Sequence, residues 1–226
     1  GDTIVSSRGA AIAGEAAREL GEAFGAVRLL DQGARTLVTG EHAVFDRGAG
    51  TACVDRRPLL TTRESGAQTL TGSSRLMRFQ RAPDRIVMVD SVSIRQGATA
   101  AVADTAHVLG RERVLLRGNP VVRDGKRSTM TGRAIEFLYR EGRLDRVLLL
   151  GQARIVDAQP ESLAALHPGL PSASTLEGDT IDVTFREEEI RSCLVVGSAH
   201  SVYVPEDTAD EVAFNDVRGD TIILDF

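Results

Sequence analysis

Tryptophan is absent from this chain, and aromatic residues make up only 4% of it. That leaves too little material for a sugar-stacking platform or for the aromatic ladder that holds single-stranded nucleic acid. Positive charge is also short, with 27 Lys and Arg against 32 Asp and Glu and a net charge of −5. A polyanion is repelled by such a chain at long range, unless a local patch survives the acidic average. No run of about 18 apolar residues exists to cross a membrane as a helix. The opening Gly1-Asp2-Thr3 shows neither the basic nor the apolar region of a secretion signal, so targeting is not visible.

Cysteine is nearly missing as well. Cys53 and Cys193 are expected in the same strand slot as Ile86, Val114 and Val147. Paired strands add about 4.8 Å each, which puts the two thiols beyond the roughly 7 Å Cα separation a disulfide tolerates. Both are read as small buried hydrophobes. The four histidines, His42, His107, His167 and His200, fall in different segments with no H-x-H or C-x-x-C spacing, and three of them sit on outward phases, so no metal site is expected.

What the chain does have is repetition. Of its 226 residues, 42% are hydrophobic and 26% charged, a composition able to bury one continuous core. In the stretch 131–156, Ile135, Phe137 and Tyr139 alternate with Ala134, Glu136 and Leu138, the period of a strand with one buried face. Arg140-Glu141-Gly142 supplies a reversal, and Val147, Leu149, Ala153 and Ile155 continue in phase. The same hairpin recurs about every 30 residues. Its first strand opens on a small residue: Gly40 before Ala43 and Phe45, Gly72 before Met77 and Phe79, Ala103 before Ala106 and Val108, Gly178 before Ile181, Val183 and Phe185, and Gly219 before Ile222, Leu224 and Phe226. Its second strand repeats as Ile86, Met88, Val92, Ile94; as Val114, Leu116, Pro120, Val122; and as Cys193, Val195, Ala199, with Gly25-Ala26-Val27-Arg28-Leu29 an earlier copy of Gly151-Gln152-Ala153-Arg154-Ile155.

The expected organisation is therefore all-β, a single domain over 1–226. Turns are expected at Asp46–Gly50, Arg81–Asp84, Gly110–Glu112 and Arg123–Lys126. The alanine-rich residues 10–24 would pass as a helix by propensity, but Gly14 and Gly21 interrupt it and strand is expected. The rhythm breaks at about 157–175, where three prolines mark an inserted loop with one or two helical turns from Pro160. The initial GDTI and final GDTIILDF resemble the opening of the internal unit at Gly178. They suggest a fragment or mature form cut within the repeat, with unpaired strands at either end that would favour end-to-end self-association.

Catalytic chemistry finds little footing. Gly72-Ser73-Ser74 lies in a strand opening, away from any nucleophile elbow. Asp179, Asp182 and Asp220 are the candidates for the paired carboxylates of a polysaccharide-cleaving enzyme. The acids, however, gather in turns such as 187–189 and on outward phases such as Glu136 and Asp182, as on a solvated sheet face. The inward face instead repeats large apolar side chains: Phe45, Met77, Phe79, Met88, Phe137 and Phe185. These either fill a packed interior or line an apolar slot where acyl chains gain about 0.8 kcal/mol per buried methylene.

The segments GRAIEFLYREGRLDRVLLLGQARI and EGDTIDVTFREEEIRSCLVVGSA resemble the OstA-like domain family of lipopolysaccharide transport, to which LptA and the N-terminal domain of LptD belong. The likeness runs from about Gly25 to Phe226, and its specificity comes from repetition. It implies a β-jelly roll of antiparallel hairpins open at both ends, located in the periplasm. Such a domain is non-enzymatic and free of cofactors, shields lipopolysaccharide acyl chains within an inner-to-outer-membrane bridge, and has other β-jelly roll transport proteins as partners. Carried over by phase, the lipid-facing candidates are Phe45, Phe79, Met88, Ile94, Val108, Phe137, Leu149, Ile155, Val183 and Phe185. The insertion at 157–175 and the alanine-rich start depart from the family pattern. A packed structural or adhesive scaffold and a polysaccharide-active enzyme are the alternatives.

Overall fold

The computed structural model of the chain describes residues 3–8, 20–31, 36–62, 69–81, 84–110, 112–161, 169–187, 189–205 and 214–226. The chain divides into two compact units, Gly1–Gly118 and Asn119–Phe226. Both are built from antiparallel strands, so the expected architecture of repeated hairpins is the one observed.

The first unit contains β1 (Thr3–Arg8), β2 (Leu20–Asp31), β3 (Thr36–Asp46), β4 (Thr51–Asp55), β5 (Leu59–Thr62), β6 (Leu70–Ser73), β7 (Leu76–Gln80), β8 (Arg85–Gln96), β9 (Thr99–Leu109) and β10 (Arg113–Arg117). β1 ladders to β2 and β2 to β3. The two halves of β3 then take different partners, β4 and β5. β4 passes the sheet to β7, β5 passes it to β6, and both rejoin at β8, followed by β9 and β10. The second unit contains β11 (Val121–Asp124), β12 (Ser128–Thr131), β13 (Ala134–Arg140), β14 (Arg143–Ala158), β15 (Ala173–Arg186), β16 (Glu189–Tyr203) and β17 (Asn215–Asp225). β14 carries β13 and β12 end to end along one edge and β15 along the other, and β16 and β17 complete the ladder.

Every repeat turns a corner at one place. Left-handed backbone recurs at Gly25, at Arg56 and Arg57, at Asp90 and Ser91, at Gly118 and Asn119, at Gly151 and Gln152, and at Gly197 and Ser198. For a residue with a side chain this conformation costs roughly 1–2 kcal/mol, so its recurrence marks a bend the fold requires. At four corners the ladder slips by one residue: between Phe24 and Val27, Val89 and Val92, Leu150 and Ala153, and Val196 and Ala199. These are β-bulges. The corners share a backbone bond, with Glu41 N–H donating to Arg56 O at 3.1 Å, Arg75 N–H to Asp90 O at 2.9 Å, and Arg133 N–H to Leu150 O at 2.9 Å. Exposed ion pairs sit over two of them, Arg57–Glu41 at 3.4 Å and Arg75–Asp90 at 2.6 Å, and each contributes at most about 1 kcal/mol.

The bulge keeps one face inside. On bulged strands the buried residues on either side of the corner are four apart: Ala23 and Val27, Met88 and Val92, Leu149 and Ala153, Val195 and Ala199. On the opposing strands they are five apart, as in Val38 and Ala43 or Ala101 and Ala106, a separation that a straight strand would place on opposite faces. The bend restores the phase on both strands together, and the apolar face stays continuous around it.

Cross-strand rows make the core. In the first unit one row runs Ala23, Ala43, Val54, Met77, Met88, Ala106, Leu116, all buried. In the second it runs Ile135, Leu149, Ile181, Val195, Ile222. One expectation is corrected by the register. Cys53 pairs with Val44 and Arg78 on the outward face and is part-exposed, whereas Ala52, between Phe45 and Phe79, holds the slot shared with Ile86. Cys193 is buried in the inner row as expected, and burial pushes its thiol up to about 11. The inserted loop is shorter than 157–175, since Asp157 pairs with Ser174 and Ala158 with Ala173. The helical turns expected there, the strand expected over residues 10–19, and His167 lie outside the described residues.

Candidate functional site

One row nearer the hairpin turns, the inner face changes character. In the first unit Phe45, Ala52, Phe79, Ile86, Val108 and Val114 stand side by side. All but Ile86 are half-buried, while the row behind them is closed to solvent. The Phe45 ring lies on the backbone of Gly21, where an added Cβ would stand 2.1 Å from ring atom Cζ, and the Arg47 guanidinium lies over the ring at 5.9 Å from its centroid. Phe45, at one end of the row, is thus held by a glycine and a cation–π contact. In the second unit Phe137 lies opposite Val147, and beyond them toward the turns come Tyr139 opposite Leu144 and Phe185 opposite Ile190. Phe226, bonded through its N–H to Arg191 O at 3.0 Å, follows in the phase of Ile222 and Leu224 and is 72% exposed. The first unit therefore carries a closed apolar row next to the corner and a half-open one next to the turns, whereas in the second unit Phe137 is half-buried beside the closed Val147, Val183 and Cys193, and the half-open lip begins at Tyr139, Leu144, Phe185 and Ile190.

The ten candidates from the sequence divide along that line. Phe45, Phe79, Val108, Phe137 and Phe185 form or adjoin the half-open lips, and Ile155 is half-buried beyond the corner between Met130 and Leu176. Met88 and Leu149 have no exposed surface, and Ile94 and Val183 are buried. The sequence reading did not single out Tyr139 as a candidate, nor Ile190 and Phe226, although their phase relative to Phe137, Val183 and Ile222 was a usable signal.

The outward faces carry the ionisable groups. His42, on the outward phase as expected, bridges two strands: Nδ1 is 2.7 Å from Asp55 Oδ1 and Nε2 is 2.8 Å from Glu22 Oε1, with the ring stacked on Phe24 at 4.7 Å. The bond to Glu22 raises its pKa above 6.5, burial opposes this, and Asp55 adds to the rise. A pKa raised in the folded state means stabilisation that is complete below about 6.5 and lost as pH rises through the folded value. His42→Gln is therefore expected to lower stability by roughly 0.5–1 kcal/mol at about pH 5.5 and by much less near pH 8.5. Urea midpoints of both proteins at the two pH values measure this, and a loss equal at both would reduce the ring to a packing element.

Several outward acids of the second unit are engaged. Arg146 holds Asp182 through two hydrogen bonds, Nε to Oδ1 at 2.6 Å and a second between Nη2 and Oδ2. Their mutual bonding raises the Arg146 pKa. Glu136, expected on a solvated face, does lie on the outward phase opposite Leu148, yet it is only 8% exposed. His200 is 2.9 Å from Asp216, and Arg154 is 2.8 Å from Glu177. Among the described residues no group of three His, Cys, Asp or Glu has the geometry to hold a metal ion.

No family model matches the sequence, and no curated protein matches it. Among solved structures the chain is similar to LptH of Pseudomonas aeruginosa, described as the LptA-homologous periplasmic component of that organism's lipopolysaccharide transport device. The likeness has 16% identity and a TM-score of 0.37, and covers 83% of this chain and 96% of LptH. So loose a superposition transfers no residue, and the fold stands on the strand pairing itself.

Proposed function

We propose that this chain is a periplasmic carrier of an acylated lipid of the lipopolysaccharide class, sheltering acyl chains along the half-open apolar lips of its hairpins. The observation that carries the proposal is the lip itself. Phe45, Phe79, Val108, Phe137 and Phe185 are held on the inner face by the same pairing that closes the row behind them, yet they are half-buried rather than closed to solvent. Burying such a row under an acyl chain contributes about 25 cal/mol per Å² of apolar surface removed from water, with no chemical step and no cofactor. The repeat motif that resembles the OstA-like family supports the same substrate class. Met88 and Leu149, closed to solvent, serve in this reading as the packed backing of the lip.

The packed-scaffold alternative has its own support in that closed row, and one experiment separates the two. A photoreactive residue is placed at Phe137 on the lip and, as the outward control, at Ile223, which is 65% exposed and shares a row with Leu194. After irradiation in cells, blotting for lipopolysaccharide is expected to show an adduct at 137 and none at 223. Adducts at neither position in exported, folded protein would leave the scaffold reading in place.

A further inference from the structure

The outward face of β7 to β10 gathers positive charge, and three of its arginines make no ion pair among the described residues. Register places Arg78, Val87, His107 and Leu115 in one cross-strand row. Arg85 lies two residues from Val87, and Arg113 and Arg117 lie two residues on either side of Leu115, all on the same face. Three strand spacings of about 4.8 Å and four residues of strand make this a patch roughly 14 Å on a side. No carboxylate occupies any of its twelve outward positions, from Gln80, Arg78 and Leu76 on β7 to Arg113, Leu115 and Arg117 on β10. Arg113 has an interaction of its own, but Arg78, Arg85 and Arg117 have no carboxylate within ion-pair reach among the described residues. In the second unit the outward Arg146 and Arg154 face Asp182 and Glu177 instead. Arg78, Arg85 and Arg117, close together in one such patch on a chain of net charge −5, repel one another unless an anion joins them.

The patch is also organised. Arg85 Nη2 lies 2.7 Å from His107 Nδ1 and donates to it, which leaves the imidazole neutral, with its proton on Nε2 as a further donor. Arg85 Nε is buried without a hydrogen-bond partner. Burial, Arg85 and Arg117 together hold the His107 pKa below 6.5, the direction expected of a ring in a positive field with no counter-charge.

We propose that this face is a binding site for a phosphate group, with Arg78, Arg85 and Arg117 as the charged donors around His107. Guanidinium forks match phosphate oxygens in pairs, and the strand spacing lets three forks approach one anion from different strands. The site lies on the outward face and does not depend on the apolar lips.

The test is a titration of the full chain with inorganic phosphate at constant ionic strength, following the histidine ring resonances. A saturable shift of His107 is expected, with its apparent pKa raised on binding, while His42 and His200 stay in place. The double variant Arg78→Gln/Arg117→Gln is expected to weaken binding at least tenfold, and Arg78→Lys/Arg117→Lys, which keeps the charge, to weaken it less. A second arm uses vesicles containing phosphatidylglycerol. Sedimentation that the double Gln variant abolishes assigns the phosphate to a lipid headgroup, and a phosphate response without sedimentation assigns it to a soluble ligand; either result keeps the site. An unmoved His107, equal movement of His42 and His200, or undiminished binding by the folded double Gln variant overturns it.

Discussion

Leu149→Asp is expected to leave no folded second unit, whereas Phe137→Asp, one row nearer the turn, yields a folded chain that no longer captures lipid. Leu149 lies between Ile135 and Ile181 in the ladder and has no exposed surface. A carboxylate there has neither water nor a partner, and several kcal/mol of desolvation consumes most of a stability that is typically about 5–15 kcal/mol. The gentler Leu149→Ala loses about 3 kcal/mol, or roughly 10 °C of melting temperature for a chain of this size. At Phe137, half-buried opposite Val147, an introduced carboxylate keeps contact with solvent, and the expected loss is about 1–2 kcal/mol. Circular-dichroism melts of the three variants, with lipid retention measured beside them, give the comparison. If Phe137→Asp unfolds as completely as Leu149→Asp, the lip is core and the carrier reading falls with it.

The second large effect sits at the corners. A Cβ on Gly40 would stand 2.4 Å from Val54 Cγ1 and 3.2 Å from Asp55 O. Val54 is wholly buried and β-branched, with little rotamer freedom to give way. Gly178 repeats the arrangement, its Cβ falling 2.7 Å from Val195 Cγ1 and 3.2 Å from Val196 O. Gly72 is the internal control, since its Cβ would meet Met88 Cε at 3.0 Å, the mobile end of a flexible side chain. Gly40→Ala and Gly178→Ala are therefore expected to cost about 2–3 kcal/mol each, in line with overpacking elsewhere, and Gly72→Ala less than about 1 kcal/mol. Chemical denaturation of the three single variants gives the order. Equal losses at all three would mean that the corners relax, and that the close approach is not what selects glycine.

Much of this architecture was legible in the chain because the repeats constrain one another. The spacing Ile86, Met88, Val92, Ile94 and its copy Val147, Leu149, Ala153, Ile155 already contain the four-residue step that a bulge imposes, and the small residue before Ala43, Ala106 and Ile181 marks the tight side of the same corner. What a single strand cannot show is which of two adjacent small residues points inward. Ala52, Cys53 and Val54 are all apolar, so alternation alone does not set their phase, and only pairing with Phe45 and Phe79 puts Ala52 inside. The low exposure of Glu136 escaped for a related reason, because burial of a carboxylate depends on neighbours brought in from distant sequence. So did the bridge from Glu22 through His42 to Asp55, which joins residues 20 and 13 positions apart. The division between closed row and open lip was not legible either. Periodicity assigns a face, while accessibility depends on how far along each hairpin arm the covering continues.

The corners also govern how this chain can change length. Because four residues on one strand are matched to three on its partner, a single residue gained or lost within an arm would turn every later side chain of that arm from inside to outside. A residue added where two arms meet in a turn alters no pairing at all. The connection between β14 and β15, the prolines of 159–172, occupies such a place. Over evolutionary time, descendants of this chain can accumulate new sequence at hairpin tips or gain and shed whole hairpins, while the interval between a corner and its nearest apolar neighbours stays fixed. A register count alone would then identify distant kin whose residues have otherwise diverged.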